Sequence, residues 1–257
     1  MKILAIEASG PVAGAALHNG EKLLGEMSLQ TGLNHSVTLM PLVEELLART
    51  GTQTSELTAI ALTAGPGSFT GLRIGAATAK GLAFALSVPV VPVSTLDSLA
   101  CNLPFANGLV CPLMDARKGQ VYAALYRCGS GRPVRVLEPE ALALPDFLAK
   151  IPEGEPVVFL GDGAYANRGA IEAIRPENTA FAPETLGFQK ASSTAQLAVW
   201  RCKEEGEEAS VSSADLRLTY LRKSQAEKQR DEAEANGLMD ALKSGTLVQR
   251  LKERGLS

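Results

Sequence analysis

Apolar positions along the chain fall into two successive runs of short strands and helices. Lys2 to Ala8, Val12 to His18 and Glu21 to Ser28 read as three strands, with Asn19-Gly20 as a hairpin turn between the last two. Asn34 to Arg49 carries Leu39, Leu42, Val43, Leu46 and Leu47 on one stripe, the helical signature; Asn34 or Ser36 can cap it and Gly51 can end it. An apolar strand, Thr58 to Thr63, then meets a glycine-rich corner and a helix over Leu72 to Leu86. A strand at Pro89 to Val93 and a helix at Thr95 to Cys101 close this half. Leu103 to Gly108, with Pro, Asn and Gly, marks the boundary. Beyond it the order begins again. Leu109 to Met114, Gln120 to Tyr126, Pro133 to Leu137 and Pro156 to Leu160 read as strands, and Pro145 to Lys150, Ala164 to Ile174 and Ser193 to Glu205 as helices.

The corner Gly65-Pro-Gly-Ser-Phe-Thr-Gly-Leu-Arg-Ile-Gly75 joins a strand to a helix, where unpaired N–H groups favour an anion or a close backbone neighbour. Ser68 or Thr70 can cap that helix. Neither familiar phosphate loop fits. The Lys of a Walker loop is missing, and counting from Gly65 and Gly67 the last position of GxGxxG is Thr70. Gly71, Gly75, Ala79 and Ala83 recur every four residues and share one face, where another backbone can come near. A close-packed structural corner is therefore weighed against a nucleotide loop at Gly65, Gly67 and Ser68.

Composition narrows the function classes. A chain of 257 residues, 46% hydrophobic and 21% charged, is long enough for one large domain or two lobes. Its formal net charge of −3 offers no basic excess for tight nucleic-acid binding by this chain alone. Cys101, Cys111, Cys128 and Cys202 contain no CxxC pair, and two histidines complete no usual zinc pattern, so reduced, buried thiols are expected. Pro89 and Pro92 interrupt the longest apolar candidate for a membrane span, and the N-terminus does not read as a signal peptide; a cytoplasmic protein with no membrane partner is expected.

The glycine corner together with Ala79-Lys80-Gly81-Leu82-Ala83 resembles the hallmark of the TsaB (YeaZ) family, a subunit of bacterial tRNA threonylcarbamoyladenosine biosynthesis. Ile3 to Ser9 (ILAIEAS) is similar to its opening ILAIDTS. His35-Ser36, Ser94 to Ala100, Asp115-Ala-Arg with Val121-Tyr122, and Tyr220-Leu-Arg222 follow in the family's order. The resemblance spans residues 1 to 222. With the repeated element order it implies an α/β fold of two RNase H-like lobes, of the actin/Hsp70/sugar-kinase (ASKHA) type. The expected division is a first lobe over 1–104, a second over 105–222 and a charged tail over 223–257. In the tail, Leu238 to Leu251 has weak helical periodicity that could meet a partner.

The fold implied by the resemblance holds an Asp for a nucleotide-bound metal where this chain has Glu7. Glu7, Ser9 and Asp115 could together serve Mg with ATP or ADP at the cleft, though no cofactor is firmly implied. Alternatively, Asp115 caps its own turn or pairs with Arg117. The catalytic paralogue TsaD carries an HxxxH metal pair, whereas His18 and His35 lie 17 residues apart here, and His35 reads as a helix-cap or surface residue. No nucleophile–base set is available, so a peptidase reading lacks residues to support it.

The resemblance instead implies a non-catalytic subunit. Its two first-lobe helices would pair with TsaD, or with a second copy when alone, and the ATPase TsaE and tRNA would join through the complex. The expected interface comprises Leu39, Leu42, Val43, Leu46, Leu72, Gly75 and Ala79, on two helices of which the first also shows Val37, Met40 and Ala48 on its reverse side and the second is apolar almost all round. The assembly would transfer threonylcarbamoyl from its adenylate to N6 of adenosine 37 in tRNAs reading codons that begin with A. The competing class is an ATP-dependent kinase or ATPase.

Overall fold

The computed structural model of the protein describes residues 1–32 and 34–222. The tail, with its Leu238–Leu251 pattern, lies outside them. Met1–Leu221 forms one compact unit.

Its first sheet contains β1 (Ile3–Glu7), β2 (Ala13–His18), β3 (Leu23–Leu29), β4 (Ala59–Thr63) and β5 (Val90–Val93), in the order β3-β2-β1-β4-β5. β1 is antiparallel to β2 and parallel to β4. The Asn19 side chain builds the β2–β3 turn by accepting the N–H groups of Glu21 and Lys22. Strand alternation gives the sheet two apolar faces. Leu4, Ile6, Ile60 and Leu62 face α1 (His35–Arg49) and α2 (Phe69–Leu86), whereas Ile3, Ala5, Ala59 and Ala61 face the opposite side. Asn34 caps α1 through the Ser36 N–H, and Ser68 caps α2 through Gly71. Because Ser68 is the cap, α2 begins at Phe69, three residues before the Leu72 start read from the apolar pattern.

The second sheet contains β6 (Gly108–Asp115), β7 (Gln120–Cys128), β8 (Val134–Ala143), β9 (Val157–Leu160) and β10 (Thr179–Phe181), in the order β10-β9-β6-β7-β8. Again the first strand is antiparallel to the second and parallel to the fourth. The three-residue edge strand β10 carries no legible alternation and was missed, yet it completes the match between the sheets. β8 extends past Leu137 through Pro139, because an edge strand tolerates a residue without an N–H.

Two helices cross between the halves. α3 (Thr95–Ala100) follows the first sheet in sequence but packs Leu96, Leu99 and Ala100 on Val110, Met114 and Tyr126 of the second. The other face of that sheet is covered by α4 (Leu144–Leu148), α5 (Asp162–Ala166) and α6 (Arg168–Ile174). The single helix read over Ala164 to Ile174 is thus two, parted at Asn167. After α7 (Glu184–Gly187), α8 (Ala191–Glu205) returns to the first sheet and buries Ala191, Ala195 and Ala198 against its alanine-lined face. Polar bonds tie these crossings: Ser98 to Thr194 at 2.9 Å, Ser193 to Asn102 at 2.7 Å, and Asn102 to the Leu186 and Phe188 carbonyls. Among the cysteines only Cys111 is fully buried; Cys101, Cys128 and Cys202 are partly exposed, which corrects the expectation of four buried thiols.

Candidate functional site

β1 delivers Glu7 to its carboxyl end, and the following turn folds back over it. Glu7 is wholly enclosed. The Ser9 N–H and hydroxyl both donate to its Oε1, at 2.7 and 2.5 Å. The Thr63 hydroxyl and Ala8 N–H ease the charge from nearby, yet Oε2 receives no hydrogen bond of ordinary geometry. Burial outweighs these donors and pushes the carboxyl up to about 6.

The glycine corner is filled by the protein's own backbone. A Cβ on Gly67 would lie 2.3 Å from the Ser9 carbonyl oxygen, and one on Gly71 2.1 Å from that of Ala8. Ser68 donates its N–H to the Ser9 carbonyl. Gly65, at φ +116°, faces the Thr219 carbonyl. Of the candidate nucleotide residues, the structure therefore gathers Glu7, Ser9, Gly67 and Ser68 into one knot, and turns Gly65 towards the C-terminal segment. The Gly71–Gly75 face meets Ala8, so its close neighbour is the chain itself.

Asp115, at the end of β6, is exposed and accepts the Arg117 backbone N–H at 2.7 Å; it caps its own turn. Its N–H reaches Asp162, a residue the sequence reading overlooked. Burial raises the Asp162 carboxyl above its ordinary range, with the Asp115 charge adding to the rise. The signal was available in Gly161-Asp-Gly163, a second glycine corner after an apolar strand. There a Cβ on Gly161 would lie 2.1 Å from the Leu113 carbonyl oxygen. An enclosed Glu7, disfavoured as an anion, fits poorly with positioning a metal beside a nucleotide. Among the described residues no cluster of three or more His, Cys, Asp or Glu could hold a metal ion. His35 is the first residue of α1, and its Nε2 bonds the Gly10 carbonyl at 2.9 Å; Asn34, not His35, is the cap.

The residues assigned to an interface face inward. Leu39, Val43, Leu46, Leu72 and Ala79 are each at most 1% exposed, Gly75 is buried and Leu42 half-buried. They are the monomer's core, because the leucine stripe is the side of α1 that covers the sheet. The apolar residues of the outward sides are a different set, Val37, Pro41 and Ala48 on α1, beside Glu44, Glu45 and Arg49, and Ala77, Gly81, Phe84 and Ala85 on α2, beside Arg73. Phe84 is 80% exposed and Val37 65%. The two helices are therefore not sealed: on the reverse side of α1 Val37 and Ala48 are exposed and Met40 is half-buried, whereas the residues named for the interface are core.

Two sheets of identical strand order, each clad by helices on both faces, define a two-lobed α/β protein of the RNase H-like, actin/Hsp70/sugar-kinase type. A family model described as TsaD, tRNA N6-adenosine threonylcarbamoyltransferase, matches residues 29–229. The tRNA threonylcarbamoyladenosine biosynthesis protein TsaB of Bacillus subtilis (strain 168) is 38% identical over 175 residues, covering 68% of this chain and 76% of that one. Its namesake in Escherichia coli (strain K12) is 35% identical over 150 residues, 58% and 64% of the two chains. YeaZ from Pseudomonas aeruginosa superposes with a TM-score of 0.74 at 28% identity, covering 86% of this chain and 99% of that one. The chain belongs to the TsaB (YeaZ) family. No helix among the described residues is long and apolar enough to cross a membrane.

Proposed function

We propose that this chain is a non-catalytic scaffold subunit in the formation of threonylcarbamoyladenosine in tRNA, acting in the cytoplasm. It works with a TsaD-type transferase and the ATPase TsaE, which move threonylcarbamoyl from its adenylate to N6 of adenosine 37; tRNA is met through the complex. The names of its relatives support the pathway. The observation that carries the scaffold role is the contrast between a carboxylate enclosed by its own backbone and an apolar helix pair left open to solvent.

Burying an aromatic ring such as Phe84 removes on the order of 150–250 Å² from water, the scale of an interface anchor. The same surface serves a TsaD-type partner or, without one, a second copy. Deleting the gene and measuring the modified nucleoside by mass spectrometry tests the pathway; unchanged levels overturn it. The ATP-dependent alternative has one observation in its favour, the unpartnered oxygens of Glu7 and Asp162. Calorimetry with Mg–ATP on the isolated chain separates the two: binding with turnover would establish the enzyme and refute the scaffold.

A further inference from the structure

A cleft of about 470 Å³ opens at the carboxyl ends of β4 and β5, where the chain runs through Gly65-Pro66 and Val93-Ser94. In open α/β sheets this is the end of the strands at which ligands gather, and the volume falls within the common range for small-molecule sites. Neither α1 nor α2 lines it. It is a separate place from the helix surface, and nothing in the scaffold role requires it.

One wall comes from the extended segment after α8. Leu216 and Leu218 of that segment pack into the first core, and Tyr220 packs its ring, tilted by 40°, against Phe69 at 5.2 Å between centroids. The alternate residues, Arg217, Thr219 and Leu221, line the cleft. Thr219 fastens the segment by donating its N–H to the Ala64 carbonyl at 2.7 Å. The pattern is the period of two that an extended chain imposes. It sets a guanidinium, a small polar residue and an apolar residue along one side.

The two arginines of the cleft are unevenly partnered. Arg135 is held by Asp97 at 2.6 Å and by Glu138 at 2.7 Å, so its charge is answered. Arg217 is not. Its Nη1 donates to the Ala214 and Leu216 carbonyls, at 2.9 and 3.3 Å, which fixes the side chain. Among the described residues it has no carboxylate partner, and its remaining N–H groups make no hydrogen bond. A guanidinium held in place with spare donors suits a carboxylate or phosphate oxygen pair. Pro66, Pro92 and Pro139 supply rigid apolar walls beside it.

We infer that this cleft binds a small organic anion with a flat apolar body, its charge on Arg217 and its body against the prolines. Calorimetry on the full chain with phenyl phosphate, inorganic phosphate and benzyl alcohol tests it. Saturable binding of phenyl phosphate is expected, at least tenfold tighter than inorganic phosphate, because only the former uses both walls and charge. Arg217→Gln is expected to weaken it tenfold or more, and Arg217→Lys less, since an ammonium keeps the charge but loses the fork. Arg49→Gln, on the outer side of α1, should leave binding unchanged. Leu221→Trp, which fills the cleft instead of removing charge, should abolish it. Absence of saturable phenyl phosphate binding overturns the proposal, as does equal affinity in wild type and Arg217→Gln. Pull-down of a TsaD-type partner by all three cleft variants is expected to persist, so failure here is distinguishable from failure of the scaffold reading.

Discussion

The Ser9 carbonyl accepts the Ser68 N–H at 2.7 Å, and Gly67 lies so close to that carbonyl that it has no room for a side chain. The end of β1 and the start of α2 are thus pressed together at the signature loop.

That contact predicts a graded glycine series. Gly67→Ala and Gly71→Ala each drive a methyl into backbone, which cannot step aside, and should cost roughly 2–3 kcal/mol. Gly81, in the same helix but facing open space, should gain about 0.5–1 kcal/mol on replacement by Ala. Urea denaturation of the three variants checks the order. A harmless Gly67→Ala would show that the loop opens away from Ser9.

Glu7 should make the protein more stable towards acid pH over a defined window. Its carboxyl titrates near 6 when folded, against an ordinary 4.5. The folded state therefore holds the proton more firmly. Its contribution is complete below 4.5 and is lost as pH rises through 6, a loss of about 2 kcal/mol. Glu7→Gln keeps an acceptor for Ser9 and removes the buried charge. It should stabilise the fold by about 1–2 kcal/mol at pH 8 and hardly at all at pH 4.5.

His18 pulls the other way. It is buried at the end of β2, and its Nδ1 accepts the Gly20 N–H at 2.9 Å, which requires that nitrogen to be unprotonated. Burial lowers its pKa beneath the ordinary 6.5, with Lys203 adding to the effect. The unfolded chain then binds more protons below 6.5, so this contribution is present above that value and is lost as pH falls through the folded one. Melting temperature against pH should show a flatter acid limb in His18→Asn than in the parent. Coincident curves would assign the limb to other groups.

Core and surface of the helix pair should separate cleanly. Leu46 is among the residues expected at the interface, but it is 1% exposed within the monomer core. A carboxylate there should cost more than about 4 kcal/mol and unfold the protein instead of splitting a dimer. Phe84→Asp should leave the melting temperature within a few degrees and weaken association at least tenfold. Light scattering and pull-down of a TsaD-type partner read both. Undiminished association would remove the outer side of α2 from the interface.

Much of the architecture was legible because local rules produce it. Short apolar runs mark most strands of both sheets, the leucine stripe marks α1, and a glycine corner after an apolar strand marks the turn into α2. The misses share a cause. β10 has three residues and no alternation, and the break at Asn167 divides a run that reads as one helix. Asp162 is consequential only because Asp115 stands beside it, a neighbour 47 positions away in sequence.

By itself the sequence determined the family, most of the element order and the small residues at positions 67 and 71, since each is written in consecutive residues. Only the tertiary structure decided which side of α1 and α2 is free. Periodicity shows that a helix has an apolar stripe, but whether a sheet or a partner covers it depends on strands far away in the chain. The same holds for Glu7. Its carboxylate resembles a ligand in the linear motif, and it is the folding of the Ser9 turn over it, with Thr63 of β4 beside it, that turns it into a buried, proton-holding group.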